Sequence, residues 1–148
     1  MTVLITGASG FIGSHIVANL LSKGAQVRAT VTDSSDPERV DHLLSLPVAD
    51  GGSLDIIEMD LLDAESVRKA VAGCESVIHT AAVVVLKSKR AQEKIVDPSV
   101  VGTRNVLDAI DSSGTVRCLI HTSSTAAIRP SSWAVSYTHL TLPTSVTV

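Results

Sequence analysis

The segment TGASGFIG, residues 6–13, places Gly7, Gly10 and Gly13 between a short apolar run and a stretch with helical periodicity. In this context Gly7 permits a tight turn, Gly10 lets the backbone approach a bound group, and Gly13 lets the helix pack closely on the strand. Free N–H groups at the start of a helix favour a phosphate there. The segment therefore predicts a strand–loop–helix unit that holds the pyrophosphate of a dinucleotide.

The rest of the chain repeats this alternation of short β-rich runs and helical stretches. Asp36 and Pro37 are a helix N-cap and first helical residue, and Gly24 ends the first helix. Such alternation is typical of a parallel sheet with right-handed crossovers. We therefore expect an α/β fold, a Rossmann-type doubly wound parallel sheet that is truncated after about five strands. Strands are predicted at residues 2–6, 25–31, 54–60, 75–82 and 116–124, and helices at residues 10–24, 36–46, 63–73 and 97–114.

Composition narrows the class of protein. The 148 residues are 45% hydrophobic and 18% charged, which is typical of one globular domain. A formal net charge of −3 without a basic cluster argues against a nucleic-acid partner. Cys74 and Cys118 lack metal-ligand spacing and are expected to be reduced thiols, so no metal site is predicted. No signal peptide or membrane span is apparent, and a cytoplasmic location is expected.

The end of the second strand bears on the choice of cofactor. An acidic residue there binds the ribose 2′-hydroxyl of NAD, whereas a basic residue accommodates the 2′-phosphate of NADP. The sequence offers Thr32 and Asp33 at this end, with Arg28 before them and Arg39 after them. The residues alone leave both cofactors open.

The other strand ends supply further candidates. Asp60 can accept a hydrogen bond from an adenine amino group and the Leu61 N–H can donate to a ring nitrogen, while Asp63 is the better helix cap. His79 is expected to be a packed strand histidine rather than a base. Small residues at the end of the fourth strand allow close approach to a ribose and pyrophosphate, and hydroxyls at the end of the fifth strand can bind a substrate carbonyl. These candidates are Thr80, Ala81 and Ala82, and Ser123 and Ser124.

Together these stretches resemble the extended short-chain dehydrogenase/reductase superfamily, which includes NAD-dependent epimerases and dehydratases. The resemblance is to its dihydroflavonol-reductase-like and 3β-hydroxysteroid-dehydrogenase-like branch. It is carried by VLITGASGFIGSHIVANLLSKGAQVRATV, MDLLD, VIHTAA, VVGTRNVLDA and VRCLIHTSSTAA.

The resemblance implies reduction of a ketone or aldehyde, or the reverse alcohol oxidation, with NADP or NAD and a slight preference for NADP. It assigns the phosphate loop to Gly7, Ser9, Gly10, Phe11 and Ile12, the adenine contacts to Asp60 and Leu61, and the ribose side to Ala81 and Ala82. It assigns the catalytic serine to Ser124. A basic residue of that branch falls where this chain has Thr32, which weakens the expectation of NADP, although Arg39 lies near a second basic position.

The resemblance also implies a catalytic Tyr-x-x-x-Lys pair, which this sequence lacks. Tyr137 is followed four residues later by Thr141, and no lysine follows Lys94. The segment VSYTHLTLPT matches the translation of a transposase-type sequencing adaptor, and no charged residue follows Arg129. We therefore expect residues 1–134 to be an incomplete NAD(P)-binding domain, residues 135–148 to be a non-native tail, and the fragment to be inactive.

Alternatives to an oxidoreductase remain open at this point. The parent protein could be a nucleotide-sugar epimerase or dehydratase, or a non-catalytic NAD(P)-binding regulator. A mononucleotide-binding fold without a redox role is disfavoured by the motifs taken together. The expected partner is a small-molecule carbonyl or alcohol substrate, whose identity, like the oligomeric state, the sequence does not specify.

Overall fold

A computed structural model describes residues 1–82, 90 and 92–124. Tyr137 and the predicted tail lie outside the described residues. Within the described residues, five strands and four α-helices alternate, and a π-helical segment, Gln92–Val96, leads into the helix before the fifth strand. The strands are β1 (Thr2–Thr6), β2 (Gln26–Val31), β3 (Ser53–Glu58), β4 (Ser76–His79) and β5 (Cys118–His121). The helices are α1 (Phe11–Leu21), α2 (Pro37–Leu44), α3 (Ala64–Val71) and α4 (Asp97–Ser113).

The strands form one parallel sheet in the order β3-β2-β1-β4-β5. Thr6 is opposite His79 in the β1–β4 pair, and His79 is opposite His121 in the β4–β5 pair. The order reverses between β1 and β4, so the chain leaves these two neighbouring strands in opposite directions. The predicted Rossmann-type doubly wound sheet is confirmed.

Each face of the sheet buries its own apolar cluster. On one face, α1 and α2 pack on side chains such as Ile5, Val27 and Ala29. On the other face, α3 and α4 pack around Leu4 and Val77. Coverage of the sheet on both faces explains why the central strand β1 carries a continuous apolar run, Val3 to Ile5, rather than an alternating pattern. In the part of the chain that the structure describes, no helix is long and apolar enough to cross a membrane.

The predicted helix ends are largely confirmed. The Asp36 carboxylate accepts a hydrogen bond from the Glu38 N–H at 3.0 Å and caps α2. The Asp63 carboxylate accepts from the Glu65 N–H at 2.9 Å and caps α3. Gly24, with φ of +72°, follows α1 in the left-handed region that favours glycine.

The predicted ends of three strands differ from the structure. β3, β4 and β5 end earlier than expected, at Glu58, His79 and His121. The next N–H groups after β4 leave the sheet ladder because they bond to a side chain of β1, as described below.

Candidate cofactor site

A crevice of about 370 Å³ opens at the carboxyl ends of the strands, where β1 and β4 diverge. In doubly wound sheets this is the position at which ligands bind. Ten of the predicted site residues line the crevice: Gly7, Ser9, Gly10, Thr32, Arg39, Asp60, Leu61, Thr80, Ala81 and Ala82. Four further residues line it that the sequence did not single out: Thr30, Val31, Met59 and Leu62.

The glycine loop and the end of β4 are in close contact. Gly7 has φ of +68°, and a Cβ atom on it would lie 2.9 Å from the Cα of Ala81. Gly13 is buried in the first turn of α1, where a Cβ atom would lie 2.2 Å from the Gly7 carbonyl oxygen. Because any side chain would separate these segments, glycine at both positions is a steric requirement of the loop.

Thr6 joins the end of β1 to the segment that follows β4. Its hydroxyl oxygen accepts hydrogen bonds from the N–H groups of Thr80 and Ala81, both at 3.1 Å. The same hydroxyl lies 2.6 Å from His79 Nδ1, and the Thr80 hydroxyl donates to the Thr6 carbonyl at 2.6 Å. Thr6 therefore fixes the backbone at Ala81 beside the glycine loop.

These bonds determine the tautomer of His79. The two N–H donors occupy both lone pairs of the Thr6 hydroxyl, so its own hydrogen must point to Nδ1. His79 is then neutral and carries its proton on Nε2. It is 2% exposed, and its ring lies 5.2 Å from that of His121. Burial, and to a smaller extent the neighbouring His121, lower the pKa of His79 to about 4. These contacts agree with a packed strand histidine.

The loop after β3 presents Asp60 and Leu61 to the crevice. One Asp60 carboxylate oxygen accepts a hydrogen bond from the Leu62 N–H at 2.9 Å, and the Asp60 N–H donates to the Ser66 hydroxyl at 3.1 Å. The side chain of Asn105 in α4 donates to the Leu61 carbonyl at 2.8 Å. This arrangement leaves the second Asp60 oxygen and the Leu61 N–H available for a ligand.

The residues after β2 divide into two groups. Thr32 and Arg39 line the crevice, and the Arg39 guanidinium also pairs with Asp36 at 3.0 Å. Asp33 does not line the crevice; one carboxylate oxygen accepts from the Ser35 hydroxyl at 2.7 Å and from the Ser35 N–H at 2.9 Å. These two bonds lower the pKa of Asp33. The carboxylate is therefore engaged in a local turn, whereas the basic side chain reaches the crevice.

Arg28, a candidate cofactor residue in the sequence, lies elsewhere. Its guanidinium donates to the carbonyl oxygens of Ala70 and Ala72 at 2.9 and 2.7 Å, and it pairs with Asp55 at 3.3 Å. It thus satisfies carbonyl groups at the C-terminal end of α3, where a cation is favoured. The structure assigns Arg28 to the packing of α3 against β2 rather than to the crevice.

Gly13 and four other predicted residues also lie outside the lining of the crevice. Phe11 and Ile12, in the first turn of α1, are 81% and 54% exposed. Ser123 and Ser124 follow β5 at the same edge of the sheet and are exposed. Asn105 was not predicted as a site residue, because its role depends on a contact with a loop 44 positions away.

Comparison with known proteins identifies relatives among plant reductases. Over 127 residues the chain is 40% identical to a bifunctional dihydroflavonol 4-reductase/flavanone 4-reductase of Malus domestica, covering 86% of this chain and 36% of that protein. Over 128 residues it is 40% identical to cinnamoyl-CoA reductase CAD2 of Medicago truncatula, covering 85% and 38%.

Solved structures of reductases and of a dehydrogenase superimpose on this chain. Vestitone reductase from alfalfa superimposes with a TM-score of 0.68 at 32% identity, over 85% of this chain and 37% of that one. Yeast methylglyoxal/isovaleraldehyde reductase Gre2, complexed with NADPH, gives 0.69 at 25% identity, over 86% and 38%. A mutant uronate dehydrogenase from Agrobacterium tumefaciens, complexed with NAD, gives 0.62 at 25% identity, over 83% and 40%.

The chain spans only about a third of the length of the plant reductases that it matches. The sequence profile of the 3-beta hydroxysteroid dehydrogenase/isomerase family matches residues 4–142, which is most of the chain. The expected resemblance to the dihydroflavonol-reductase-like branch of the extended short-chain dehydrogenases/reductases is confirmed. This chain belongs to the 3-beta hydroxysteroid dehydrogenase/isomerase family.

Proposed function

We propose that this chain is the cofactor-binding part of an NAD(P)-dependent reductase and that the crevice between β1 and β4 holds the dinucleotide. The observation that carries this proposal is the convergence of the glycine loop, the Ala81 backbone and the Asp60 loop on one crevice. No one of these features is specific by itself. Their combination within this family supports a dinucleotide rather than a single phosphate.

Each part of the crevice has a defined task in this proposal. The glycine loop that leads into α1 binds the pyrophosphate at the N-terminal end of that helix, where the helix dipole assists. The small side chain of Ala81 leaves room for a ribose beside Gly7. At the far side, the Asp60 carboxylate accepts a hydrogen bond from the adenine amino group, and the Leu61 N–H donates to a ring nitrogen.

A bound nicotinamide would supply or accept the hydride. Ser124, at the edge of the sheet where β5 ends, would donate a hydrogen bond to the carbonyl oxygen of a small-molecule substrate. The 148 residues contain no Tyr-x-x-x-Lys sequence. We therefore expect this chain to bind cofactor without turnover and assign carbonyl reduction to the whole protein.

The residues after β2 favour NADP over NAD. Arg39 lines the crevice and carries the charge that a 2′-phosphate requires. Asp33 would have to give up two hydrogen bonds from Ser35 in order to bind a ribose 2′-hydroxyl. The pair that Arg39 forms with Asp36 is partly exposed, with 47% and 34% of the side chains accessible, so it is weak enough to exchange for a phosphate.

Titration of the chain with NADPH and NADH tests this function, with the dihydronicotinamide fluorescence as the signal. We expect NADPH to bind more tightly, and Arg39→Ala to reduce its affinity about tenfold while changing that of NADH little. Arg68→Ala is the matched control, because Arg68 pairs with Glu65 on the exposed surface of α3. Failure of both cofactors to bind would exclude the proposed function. Equal affinities that Arg39→Ala leaves unchanged would exclude only the preference for NADP.

A further inference from the structure

We propose that helix α4 sets the adenine selectivity of this site, with Asn105 as a positioning residue that orients Asp60 through the Leu61–Leu62 peptide. The inference rests on the proposed function, since it concerns how the adenine end of the cofactor is recognised. It goes beyond that function because Asn105 lies in a helix that does not line the crevice.

The connection runs through a single peptide unit. The amide nitrogen of the Asn105 side chain donates to the Leu61 carbonyl oxygen at 2.8 Å. The N–H of the same peptide unit, which belongs to Leu62, donates to an Asp60 carboxylate oxygen at 2.9 Å. A peptide unit is planar and rigid, so fixing its carbonyl also fixes the direction of its N–H. Asn105 thereby determines where the carboxylate of Asp60 is held.

A second contact from α4 fixes the same loop independently. Gly102 is buried one helical turn before Asn105, and residues three apart lie on the same helix face. A Cβ atom on Gly102 would lie 3.1 Å from the Leu61 Cβ atom. The loop therefore packs directly against the backbone of α4, at a distance that a larger residue would increase.

The opposite end of the loop is fixed by α3. The Asp60 N–H donates to the hydroxyl of Ser66, which lies in the first turn of that helix. With its backbone held by Ser66 and one oxygen held by Leu62, the carboxylate has a single oxygen left for a ligand. That oxygen accepts hydrogen bonds only, so it matches the 6-amino group of adenine and repels the 6-carbonyl oxygen of hypoxanthine.

The test compares NADPH with its deamino form, reduced nicotinamide hypoxanthine dinucleotide phosphate, by the dihydronicotinamide fluorescence common to both. We expect the wild-type chain to prefer the adenine form about tenfold, as one charge-assisted hydrogen bond predicts. Asn105→Leu removes the amide at similar side-chain volume and should reduce the preference to about threefold or less, mainly by lowering the affinity for NADPH. Asn105→Gln, which retains a donor, should restore part of the preference.

If Asn105 had only a structural role, Asn105→Leu would lower the affinity for both dinucleotides equally and leave the ratio of the two affinities unchanged. That result would overturn the inference. Arg104→Leu, at the neighbouring exposed position of α4, is the control and should keep the wild-type ratio. Should Asn105→Leu fail to fold, Gly102→Ala displaces the same loop by a few tenths of an ångström and should lower the ratio as well. An unchanged ratio in Gly102→Ala would then overturn the inference.

The results for the wild-type chain distinguish a failure of this inference from a failure of the proposed cofactor-binding function. If neither dinucleotide binds, the proposed function fails. If both bind with equal affinity, the cofactor site stands but Asp60 does not select adenine, and the inference is overturned. A wild-type preference that Asn105→Leu lowers supports both.

Discussion

The hydrogen bonds of Thr6 predict a specific dependence of stability on pH. His79 accepts the Thr6 hydroxyl hydrogen at Nδ1 only while it is neutral. A proton on Nδ1 would leave the Thr6 oxygen facing three donors with two lone pairs, and one bond to Thr80 or Ala81 would break. Protonation of His79 should therefore loosen the backbone beside the glycine loop.

The magnitude follows from the pKa of His79, which burial and His121 lower from 6.5 to about 4. At about 1.36 kcal/mol per pH unit the shift corresponds to about 3 kcal/mol, of which about 2 kcal/mol is lost between pH 7.5 and pH 4.5, since that interval stops above the pKa of the folded state. Between these two pKa values the unfolded chain binds more protons than the folded chain. The contribution to stability is therefore complete above pH 6.5 and is lost as the pH falls toward 4.

Urea unfolding at several pH values between 7.5 and 4.5 measures this loss. His79→Asn is the informative variant, because its side-chain oxygen can accept from Thr6 but does not titrate in this range. The wild-type chain should lose about 2 kcal/mol more stability than His79→Asn over this interval. Carboxylates titrate in both proteins and cancel in the difference.

The exposed His42→Asn variant provides a matched control, because the side chain of His42 takes no part in the hydrogen bonds of Thr6. Equal losses of stability in the wild-type chain and His79→Asn would refute the reasoning. So would ¹⁵N spectra at neutral pH that place the imidazole proton on Nδ1, because Thr6 could not then donate to it.

Three further predictions concern stability, packing and thiol access. Gly7→Ala should lower the free energy of unfolding by about 1–2 kcal/mol and reduce the NADPH affinity more than tenfold. The reason is that Gly7 has φ of +68° and that the added Cβ atom would meet the segment after β4. Urea unfolding and fluorescence titration measure these two effects. In the same two assays, Arg28→Met should lower the free energy of unfolding by about 1–2 kcal/mol but leave the NADPH affinity unchanged, because Arg28 binds carbonyl groups of α3. A loss of NADPH affinity would instead place Arg28 in the cofactor site. A maleimide should label the exposed Cys118 in the folded chain and react with Cys74 only after unfolding. Cys74 is buried, and burial raises the pKa of its thiol. Mass spectrometry of peptides shows which of the two cysteines is labelled.

The order of elements and most of the lining of the crevice could be predicted from the sequence because both depend on local signals. Asp36 and Asp63 cap helices through bonds to residues two positions on, and Gly7 has the positive φ that its turn requires. The end of β4 could not be predicted in this way. It is set by the Thr6 hydroxyl, more than seventy positions earlier, which takes the N–H groups that would otherwise extend the strand.

The contact of Asn105 with Leu61 is hidden in the sequence for a related reason. An asparagine within a helix is ordinarily a solvated residue of modest helix propensity. What gives Asn105 a role is Gly102, which lets the loop after β3 approach α4 closely enough for the amide to reach a carbonyl. A glycine three positions before an asparagine in one helix is therefore a signal worth testing for when a neighbouring loop carries a ligand site.

The position of Arg28 shows how distance along a strand decides between two roles on one face. Arg28 and Thr30 share a face of β2 by the alternation of side chains, and Thr30 lines the crevice. Arg28 is three residues before Val31, where β2 ends, which at about 3.3 Å per residue places it about 10 Å from that edge. Crossover helices run antiparallel to the strands, so the C-terminal end of α3 meets the sheet near Arg28, where its carbonyl groups need donors. A basic residue early in a parallel strand is thus better assigned to a helix C-terminus than to a ligand at the opposite edge.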